Sequence, residues 1–366
     1  MNVELEQKFL QLMRESIREN ITDIHLTSGQ YPFIRMTSRD VDPVENFGII
    51  EINDLYDLAA YMNSQVTRER IDTATRGINF IYELEGTRFR GNISKDNDGF
   101  AIALRTIKKN TPTAESVGLT PNILRLLKSD RGLILVTGGT GSGKTTSVMA
   151  MVDFLNKNFH KHIITVEDPI EYILKNQKSL IHQKQVGKHV ETFDQAIRDA
   201  MREDPDIIIV GEMRDQETIS AVLTLAETGH LVISTLHTND VVQAFDRLIY
   251  AFPAQMQSQI RIQLALVLVS VIGQIILPKR DGSGNIVARE VFINGEASRN
   301  LIMEGNISHL YGVMETGSQE GQIPMQTALI NLHKEKLISG KTLMEHIKNP
   351  TVLREYLNEI REQEER

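Results

Sequence analysis

The sequence predicts a two-domain α/β protein whose second domain is built on a mainly parallel sheet. A length of 366 residues is enough for two domains of ordinary size. In the second half, apolar runs alternate with helical segments, which is typical of parallel strands joined by helical crossovers. The predicted strands are Gly132 to Thr137, Ile163 to Glu167, Ile207 to Val210, Leu231 to Thr235 and Val271 to Leu277.

The first half has a different sequence pattern, with short strand-like stretches separated by Gly, Asn and Asp. An amphipathic helix over 2–19 precedes predicted strands at 23–26, 33–36, 78–84, 88–93 and 100–106. This pattern favours a small α/β domain with a largely antiparallel sheet. A polar, proline-containing stretch follows the last strand. We therefore place the first domain at 1–110, the linker at 111–113 and the second domain at 114–366, with charged helices from about 298.

Composition and charge exclude several classes of function. Apolar residues make up 41% of the chain and charged residues 24%, which is typical of a globular protein. The net charge of -8 argues against a nucleic-acid partner, since phosphate neutralisation needs clustered Lys and Arg. The absence of cysteine excludes disulfides, thiolate catalysis and cysteine-based zinc sites.

The apolar runs predict neither a signal peptide nor a membrane span. Residues 1–20 alternate charged and apolar side chains, unlike a secretory signal. The longest apolar run, 262–277, is interrupted by polar residues and is shorter than the roughly 20 residues that a spanning helix needs. We expect a buried helix that runs into a buried strand there, in a cytoplasmic protein.

A complete phosphate-binding loop follows the first strand of the second domain, and a helix follows the loop, as this motif requires. Its glycines let backbone N–H groups face phosphate oxygens, and the helix N-terminus adds partial positive charge. Lys144 is predicted to reach the β- and γ-phosphates of ATP, and the Thr145 hydroxyl to bind Mg²⁺. The predicted nucleotide-binding residues are Gly138, Gly139, Thr140, Gly141, Ser142, Gly143, Lys144, Thr145 and Thr146.

Two acids at the ends of other strands are the candidate catalytic carboxylates. Glu212 follows the strand 207–210, so we expect it at the carboxyl edge of the sheet, where it would hold Mg²⁺. Glu167 ends the strand 163–167 and could orient or deprotonate the attacking water. The alternatives are a solvated glutamate after a core strand for Glu212 and exposed charges in an Asp-Pro turn for Glu167.

Two histidines border the strand 231–235. His230 precedes it and His237 follows it, and both are predicted to act as donors that sense the γ-phosphate. The alternative for each is a structural role.

These motifs occur in the order found in a known superfamily. The phosphate-binding loop is followed by TVEDPIE at 165–171, by REDPD leading into GEMRD at 202–215, and by ETGH leading into TLHT at 227–238. They resemble the Walker A, Asp box, Walker B and His box of the secretion ATPase superfamily, which serves type II secretion and type IV pili. The stretch 22–26, TDIHL, is similar to the opening strand of that family's PAS-like N-terminal domain.

The resemblance implies a RecA-like P-loop ATPase domain preceded by a small PAS-like domain, with a helical C-terminal tail. It also implies a homohexamer that binds ATP and Mg²⁺ between the two domains of a subunit. Arginines of the first domain would close on the nucleotide, and Arg88, Arg90 and Arg105 lie where they are expected. The alternative is that these three are ordinary solvated arginines of a sheet.

Within the superfamily, the sequence resembles the PilT-like retraction branch, the twitching-motility ATPases. The chain lacks the long extra N-terminal domain and the four-cysteine insertion of the other motors, and ASRNLIME at 297–304 is similar to the branch's A-I-R-N-L-I-R-E element. Ser298 and Met303 depart from it. The branch implies retraction of a type IV pilus, an inner-membrane platform protein as partner, and a location at the inner face of the membrane.

Three other functions stay open at this point. One is an accessory paralogue of the retraction motor, and another is a type II or type IV secretion ATPase. The third is a nucleotide-gated scaffold that barely hydrolyses ATP. Glu167 and Glu212 argue against the scaffold, since a protein that never hydrolyses ATP has no chemical need for them.

Overall fold

The chain forms two compact units, residues 1–110 and 111–366. The computed structural model describes residues 3–19, 21–36, 40–97, 99–107, 111–347 and 349–364. The predicted linker, 111–113, has no regular secondary structure. The preceding residues Lys108, Lys109 and Asn110, which we also expected in this stretch, lie outside the described residues.

The first unit is a six-stranded antiparallel sheet with helices packed on it. The strands lie in the order β3-β2-β1-β6-β5-β4. This agrees with the predicted antiparallel sheet, although the sequence did not predict β3, α2 or α3. The elements are α1 (Val3–Arg18), β1 (Asp23–Thr27), β2 (Phe33–Arg35), β3 (Val41–Pro43), α2 (Ile52–Met62), α3 (Arg68–Thr73), β4 (Ile78–Leu84), β5 (Thr87–Asp96) and β6 (Gly99–Ile107).

The core of the first unit lies on one face of this sheet. Helix α1 contributes Phe9, Leu12 and Met13, whose spacing places them on one side of a helix. They are buried in the same apolar cluster as Phe89 of β5 and Leu104 of β6. Alternation along the strands therefore directs the intervening residues of β5 and β6 to the opposite face.

The second unit carries a seven-stranded sheet in the order β13-β12-β7-β11-β10-β8-β9. Every neighbouring pair is parallel except β12 and β13. The elements of this sheet and its helices are α4 (Pro121–Leu126), β7 (Gly132–Thr137), α5 (Lys144–Asn158), β8 (His162–Glu167), β9 (Leu180–Gln185), α6 (Phe193–Ala200), β10 (Ile207–Val210), α7 (Gln216–Glu227), β11 (Leu231–Leu236), α8 (Val241–Tyr250), α9 (Ala254–Val267), β12 (Leu268–Pro278) and β13 (Asn285–Ile293).

Both faces of this sheet are covered, which is why its central strands are continuously apolar. Helices α4 and α5 share an apolar cluster with one face, and helices α6 to α9 share another with the opposite face. Aspartates begin two of these helices. The Asp215 carboxylate accepts the backbone N–H of Thr218 at the start of α7, and Asp240 accepts that of Gln243 at the start of α8.

The apolar run 262–277 is the end of helix α9 followed by strand β12, as the sequence predicts. Among the described residues, no helix combines the length and the apolar character needed to span a bilayer. The helical tail consists of α10 (Glu296–Glu304), α11 (Leu310–Thr316), α12 (Met325–Lys334), α13 (Gly340–His346) and α14 (Pro350–Glu364).

Candidate active site at the carboxyl edge of the parallel sheet

The phosphate-binding loop connects β7 to α5 at the carboxyl edge of the sheet. The apolar strand ends at Thr137 and the helix begins at Lys144. Gly143 precedes the helix in a left-handed conformation, with φ of 82°, which glycine adopts without steric cost. The loop therefore turns sharply into the helix, and the free N–H groups of the first helical turn face the loop, where a phosphate can accept them.

The ammonium group of Lys144 folds back over its own loop. Its Nζ atom donates to the carbonyl oxygens of Gly138 and Gly139, at 2.8 and 3.0 Å. The side chain is buried, and burial lowers the pKa of Lys144 from its ordinary value. The ammonium thus stands above the amides of the loop, ready to exchange carbonyl partners for phosphate oxygens.

His237 links Lys144 to Glu212. Its Nδ1 atom is 3.4 Å from Lys144 Nζ, and its Nε2 atom is 3.2 Å from Glu212 Oε2. Burial, together with the charges of Lys144 and Arg214, lowers the pKa of His237, so the ring is neutral at pH 7. Because an ammonium can only donate, Nδ1 is the acceptor and Nε2 carries the proton that it donates to Glu212.

Glu212 projects from the end of β10, where the sequence predicts it. One carboxylate oxygen contacts His237 and the other pairs with Arg214. The side chain is mostly buried. A carboxylate at this edge offers oxygen ligands of the kind that Mg²⁺ prefers.

Glu167 lies at the end of β8, which is the neighbour of β10. Its Oε1 atom accepts hydrogen bonds from Thr165 Oγ1 at 2.6 Å and Gln183 Nε2 at 3.1 Å. Its Oε2 atom is buried and lacks a hydrogen-bond partner among the described residues. Glu167 is 3% exposed, so the alternative of an exposed charge in a turn does not hold.

Burial raises the pKa of Glu167 to about 7, although the hydrogen bonds from Thr165 and Gln183 partly oppose that rise. A carboxylate with a pKa near neutrality can accept a proton from water and release it again within one reaction cycle. The free Oε2 atom gives it the lone pairs for that step.

The same carboxyl group gives the free energy of unfolding a pH dependence. Its folded pKa of about 7 exceeds the ordinary value of 4.5, so between these values the folded protein holds a proton that the unfolded chain has lost. The stabilisation of the folded protein by this proton is complete below pH 4.5 and is lost as the pH rises through 7. The free energy of unfolding then falls by about 3 kcal/mol. We expect Glu167→Gln to remove this slope in denaturant unfolding of the nucleotide-free protein. Equal slopes in the two proteins would contradict it.

The order of the strands sets the order of these groups along the edge. The loop strand β7 neighbours β11, which ends before His237; β10 with Glu212 comes next, and β8 with Glu167 follows. Strands are about 4.8 Å apart, so β10 is roughly 10 Å from β7 and β8 is roughly 14 Å away. Glu212 is thus the carboxylate nearer to the loop strand.

His230 is not part of this edge, which corrects the prediction that both histidines face the phosphate. It immediately precedes β11, and its carbonyl oxygen accepts the N–H of Gly132 at the start of β7. Its Nδ1 atom lies 3.2 Å from Leu225 O and 3.3 Å from Thr228 Oγ1. Six residues of parallel strand separate the two edges by roughly 20 Å. The chain therefore does not bring His230 to its own phosphate-binding loop.

The other predicted site residues fall into two groups. Within the loop, Gly139, Thr140 and Gly141 are exposed, and Thr145 and Thr146 are half-buried at the start of α5. The Thr146 hydroxyl is 3.3 Å from the Tyr172 hydroxyl. The three arginines belong to the first unit, where Arg88 and Arg90 lie on β5 and Arg105 lies on β6.

Sequence reasoning missed the polar residues that support the site. Gln183 on β9 contacts Glu167, Arg214 pairs with Glu212, and Gln274 on β12 donates to the loop. A glutamine within the apolar run 262–277 is a signal that could have identified Gln274. Gln183 gives no such signal, because β9 is a polar edge strand.

The residues present fit a bound magnesium ion. Mg²⁺ prefers oxygen ligands and is usually held by one or two protein groups together with nucleotide phosphates. Thr145 and Glu212 offer a hydroxyl and a carboxylate of that kind. Within the described ranges, no cluster of three or more His, Asp or Glu side chains is arranged to hold a metal by itself.

A phosphate-binding loop between a strand and a helix, with acids at the ends of two other strands of the same parallel sheet, defines a RecA-like P-loop ATPase. The chain also matches the family model described as type II/IV secretion system protein over residues 87–334. That match spans most of the chain, and this protein belongs to the type II/IV secretion system protein family.

Two relatives from Pseudomonas aeruginosa are similar to almost the whole chain. A protein named type IV pilus retractation ATPase PilT is 38% identical over 345 residues, which is 93% of this chain and 98% of the relative. A protein named type IV pilus ATPase PilU is 32% identical over 348 residues, 95% of this chain and 90% of the relative. A solved structure of the pilus retraction motor PilT with bound ADP matches with a TM-score of 0.84 and 38% identity, covering 93% of this chain and 97% of that one.

Proposed function

We propose that this protein is a motor ATPase that couples ATP hydrolysis to retraction of a type IV pilus. The observation that carries the proposal is the end-to-end similarity to a pilus retraction ATPase, 38% identity over 93% of this chain and 98% of the relative. The arrangement of Lys144, Glu212 and Glu167 on one sheet edge supports hydrolysis. The partner is an inner-membrane platform protein of the pilus, and the protein acts at the inner face of that membrane.

The residues of the edge have distinct roles in this proposal. The loop amides and Lys144 bind the β- and γ-phosphates, and Thr145 and Glu212 hold Mg²⁺. When bound, Mg²⁺ neutralises charge on the phosphate oxygens. Glu167 takes the proton of the attacking water at its free Oε2 atom. His237, neutral and protonated at Nε2, donates to Glu212 and accepts from Lys144, so it acts on the γ-phosphate through these two groups.

The arginines of the first unit bind nucleotide phosphate in this proposal. Arg90 and Arg105 are direct cross-strand partners, which places two positive charges side by side. Asp23 of β1 lies opposite Arg105 on its other side. Like charges directly opposite each other destabilise a sheet, and Arg88 Nε is buried without a hydrogen-bond partner among the described residues. A bound phosphate would reduce the repulsion between Arg90 and Arg105 and would accept a hydrogen bond from Arg88.

We expect the protein to form a hexamer, and mass measurement in solution with and without ATP tests this.

Replacement of Arg88, Arg90 and Arg105 with alanine is expected to abolish hydrolysis while nucleotide still binds. The phosphate-binding loop is intact in this variant, but the charge-assisted bonds from these arginines to the phosphate are lost. Nucleotide titration measures binding in this variant, and a phosphate-release assay measures hydrolysis.

The matched control replaces three exposed arginines elsewhere in the first unit, Arg18, Arg70 and Arg76, and should keep the wild-type rate. Wild-type turnover in the first triple variant would show that those arginines do not act on the nucleotide. A monomer at micromolar concentration under both conditions would contradict the ring.

Deletion of the gene, followed by imaging of surface pili and measurement of surface motility, tests the pilus role. A retraction motor predicts that pili persist or accumulate while motility is lost. Normal retraction in the deletion strain would indicate an accessory paralogue, and normal pili with failed protein export would indicate a secretion ATPase. Complementation with the Lys144→Ala variant should not restore motility.

A further inference from the structure

Two buried polar side chains lie next to each other beneath the phosphate-binding loop, on the strands that extend the sheet beyond it. Gln274 of β12 and Arg289 of β13 are direct cross-strand partners. Directly opposed residues of an antiparallel pair project to the same face, with Cβ atoms about 5 Å apart. Gln274 is 0% exposed and Arg289 is 8% exposed. We call these two residues the Gln274–Arg289 pair.

Gln274 holds the main chain of the loop. Its Nε2 atom donates to the carbonyl oxygen of Ser142 at 2.6 Å. The backbone carbonyl oxygen of Gln274 lies 2.5 Å from the position that a Cβ atom at Gly138 would occupy. Strand β12 therefore contacts the loop near both of its ends, and any side chain at Gly138 would push the loop off the strand. This contact fixes the direction of the loop amides before a nucleotide arrives.

Arg289 brings a positive charge without a counter-ion to the same region. Its Nη1 atom donates to Gly118 O and its Nη2 atom to Ser147 Oγ, both at 3.0 Å. Its Nε atom is buried and has no hydrogen-bond partner among the described residues. Burial lowers the pKa of the Arg289 guanidinium to about 10, so it is charged at neutral pH.

No carboxylate within the described ranges pairs with Arg289, and its pKa is moved by burial alone. A buried charge without a partner costs stability. Ser147, which the guanidinium contacts, is in the first turn of α5, three residues after Lys144. Positive charge at that end of a helix adds to the helix dipole and strengthens its attraction for an anion. The cost of burying Arg289 is therefore offset when a phosphate binds to the loop.

We infer that the Gln274–Arg289 pair positions the phosphate-binding loop, with Gln274 holding its main chain and Arg289 supplying a buried charge whose counter-ion is the nucleotide phosphate. The inference rests on the nucleotide site proposed above. Both are positioning residues, because they act through the loop and through α5. They set the affinity for nucleotide more than the rate of the chemical step.

The role of Arg289 is tested with Arg289→Met and Arg289→Lys. We expect Arg289→Met to weaken ADP binding roughly tenfold, since it removes an attraction in a poorly screened region. The nucleotide-free protein should melt at the same or a higher temperature, because an unpaired buried charge is gone. Arg289→Lys keeps the charge and should recover most of the affinity. Wild-type ADP affinity in Arg289→Met, or a lower melting temperature of the nucleotide-free variant, would overturn the inference, since the latter indicates a structural role.

The role of Gln274 is tested with Gln274→Met against a matched control, Gln322→Met. Gln322 is equally buried and bonds the backbone N–H and carbonyl of Ile293, both at 2.8 Å, without contacting the loop. We expect Gln274→Met to raise the KM for ATP severalfold with a smaller change in kcat, since the loop amides are no longer preorganised. Gln322→Met should lower the melting temperature and leave KM unchanged. The same KM in both variants would overturn the role of Gln274.

Lys144→Ala separates this inference from the proposed function. If Lys144→Ala loses turnover while Arg289→Met and Gln274→Met bind nucleotide like the parent, only the inference fails. If Lys144→Ala keeps full turnover, the nucleotide site itself is wrong.

Discussion

Replacement of Lys144 with alanine is expected to abolish ATP hydrolysis. Its ammonium lies 2.8 and 3.0 Å from the carbonyl oxygens of Gly138 and Gly139, directly over the loop that would receive the phosphates. The transferring phosphoryl group carries charge that a fixed cation in a poorly solvated site stabilises strongly. We expect steady-state phosphate release to fall by roughly a hundredfold or more, which is the usual cost of removing one such group.

The matched control for this experiment is Lys157→Ala. Lys157 belongs to the same helix, but it lies near the other end and pairs with Asp153 at 2.6 Å. Its loss removes an equal charge from α5 without touching the loop, so turnover should stay close to that of the parent. Turnover of Lys144→Ala within about threefold of the parent would be too small a change for the loss of a phosphate-binding cation, and would reject the site.

Glu167→Gln is expected to preserve nucleotide binding and lose hydrolysis. The substitution keeps the size of the side chain and removes the carboxylate that would accept a proton from water. Loss of a general base typically lowers the rate by about a hundred- to ten-thousandfold. Burial holds the pKa of Glu167 at about 7, so wild-type kcat/KM should rise through neutral pH as this group ionises. Single-turnover rates and a pH profile of both proteins measure the two effects.

Glu212→Gln is the informative comparison, because the strand order places β10 nearer to the loop strand than β8. We expect this variant to change chiefly the Mg²⁺ concentration that turnover requires. Glu217→Gln serves as a control, since Glu217 is an exposed carboxylate in the first turn of α7 and lies outside these motifs. If Glu167→Gln keeps the full rate with Mg²⁺ while Glu212→Gln loses it, the general base is Glu212.

Much of the site could be predicted because its signals are local in the sequence. The phosphate-binding loop is contiguous, and its shape depends on glycines and on a strand and a helix that directly border it. Glu167 and Glu212 each end a strand whose apolar run is visible in the sequence. Since parallel strands end at one edge, their positions relative to the loop follow once each strand is recognised.

The two histidines lie at opposite edges of the sheet, which the sequence motif did not predict. His230 and His237 lie seven residues apart, and the motif that contains them suggested one shared role. A strand of six residues, β11, lies between them and carries them to opposite edges of the sheet. The length and direction of β11, and not proximity in sequence, decided which histidine reaches Lys144.

The edge strands were harder to predict than the central ones. Strand β9 has a polar sequence and β13 is interrupted by Arg289 and Glu290 at its centre, so neither shows the buried apolar run of β7 or β10. Their pairing is decided by neighbouring strands and not by their own pattern. As a result Gln183, which lies on β9 and contacts Glu167, was not predicted.

The sequence by itself determined the class of sheet, the loop that binds phosphate and the acids beside it, because hydrophobic period and glycine spacing act over a few consecutive residues. Only the tertiary structure decided that Glu167 is buried with a free oxygen, that His237 bridges Lys144 and Glu212, and that Arg289 lies behind the loop beside Gln274. These features depend on which strands pair and in what register. Pairing is settled by packing between residues far apart in the chain, and a pattern read along one segment does not contain it.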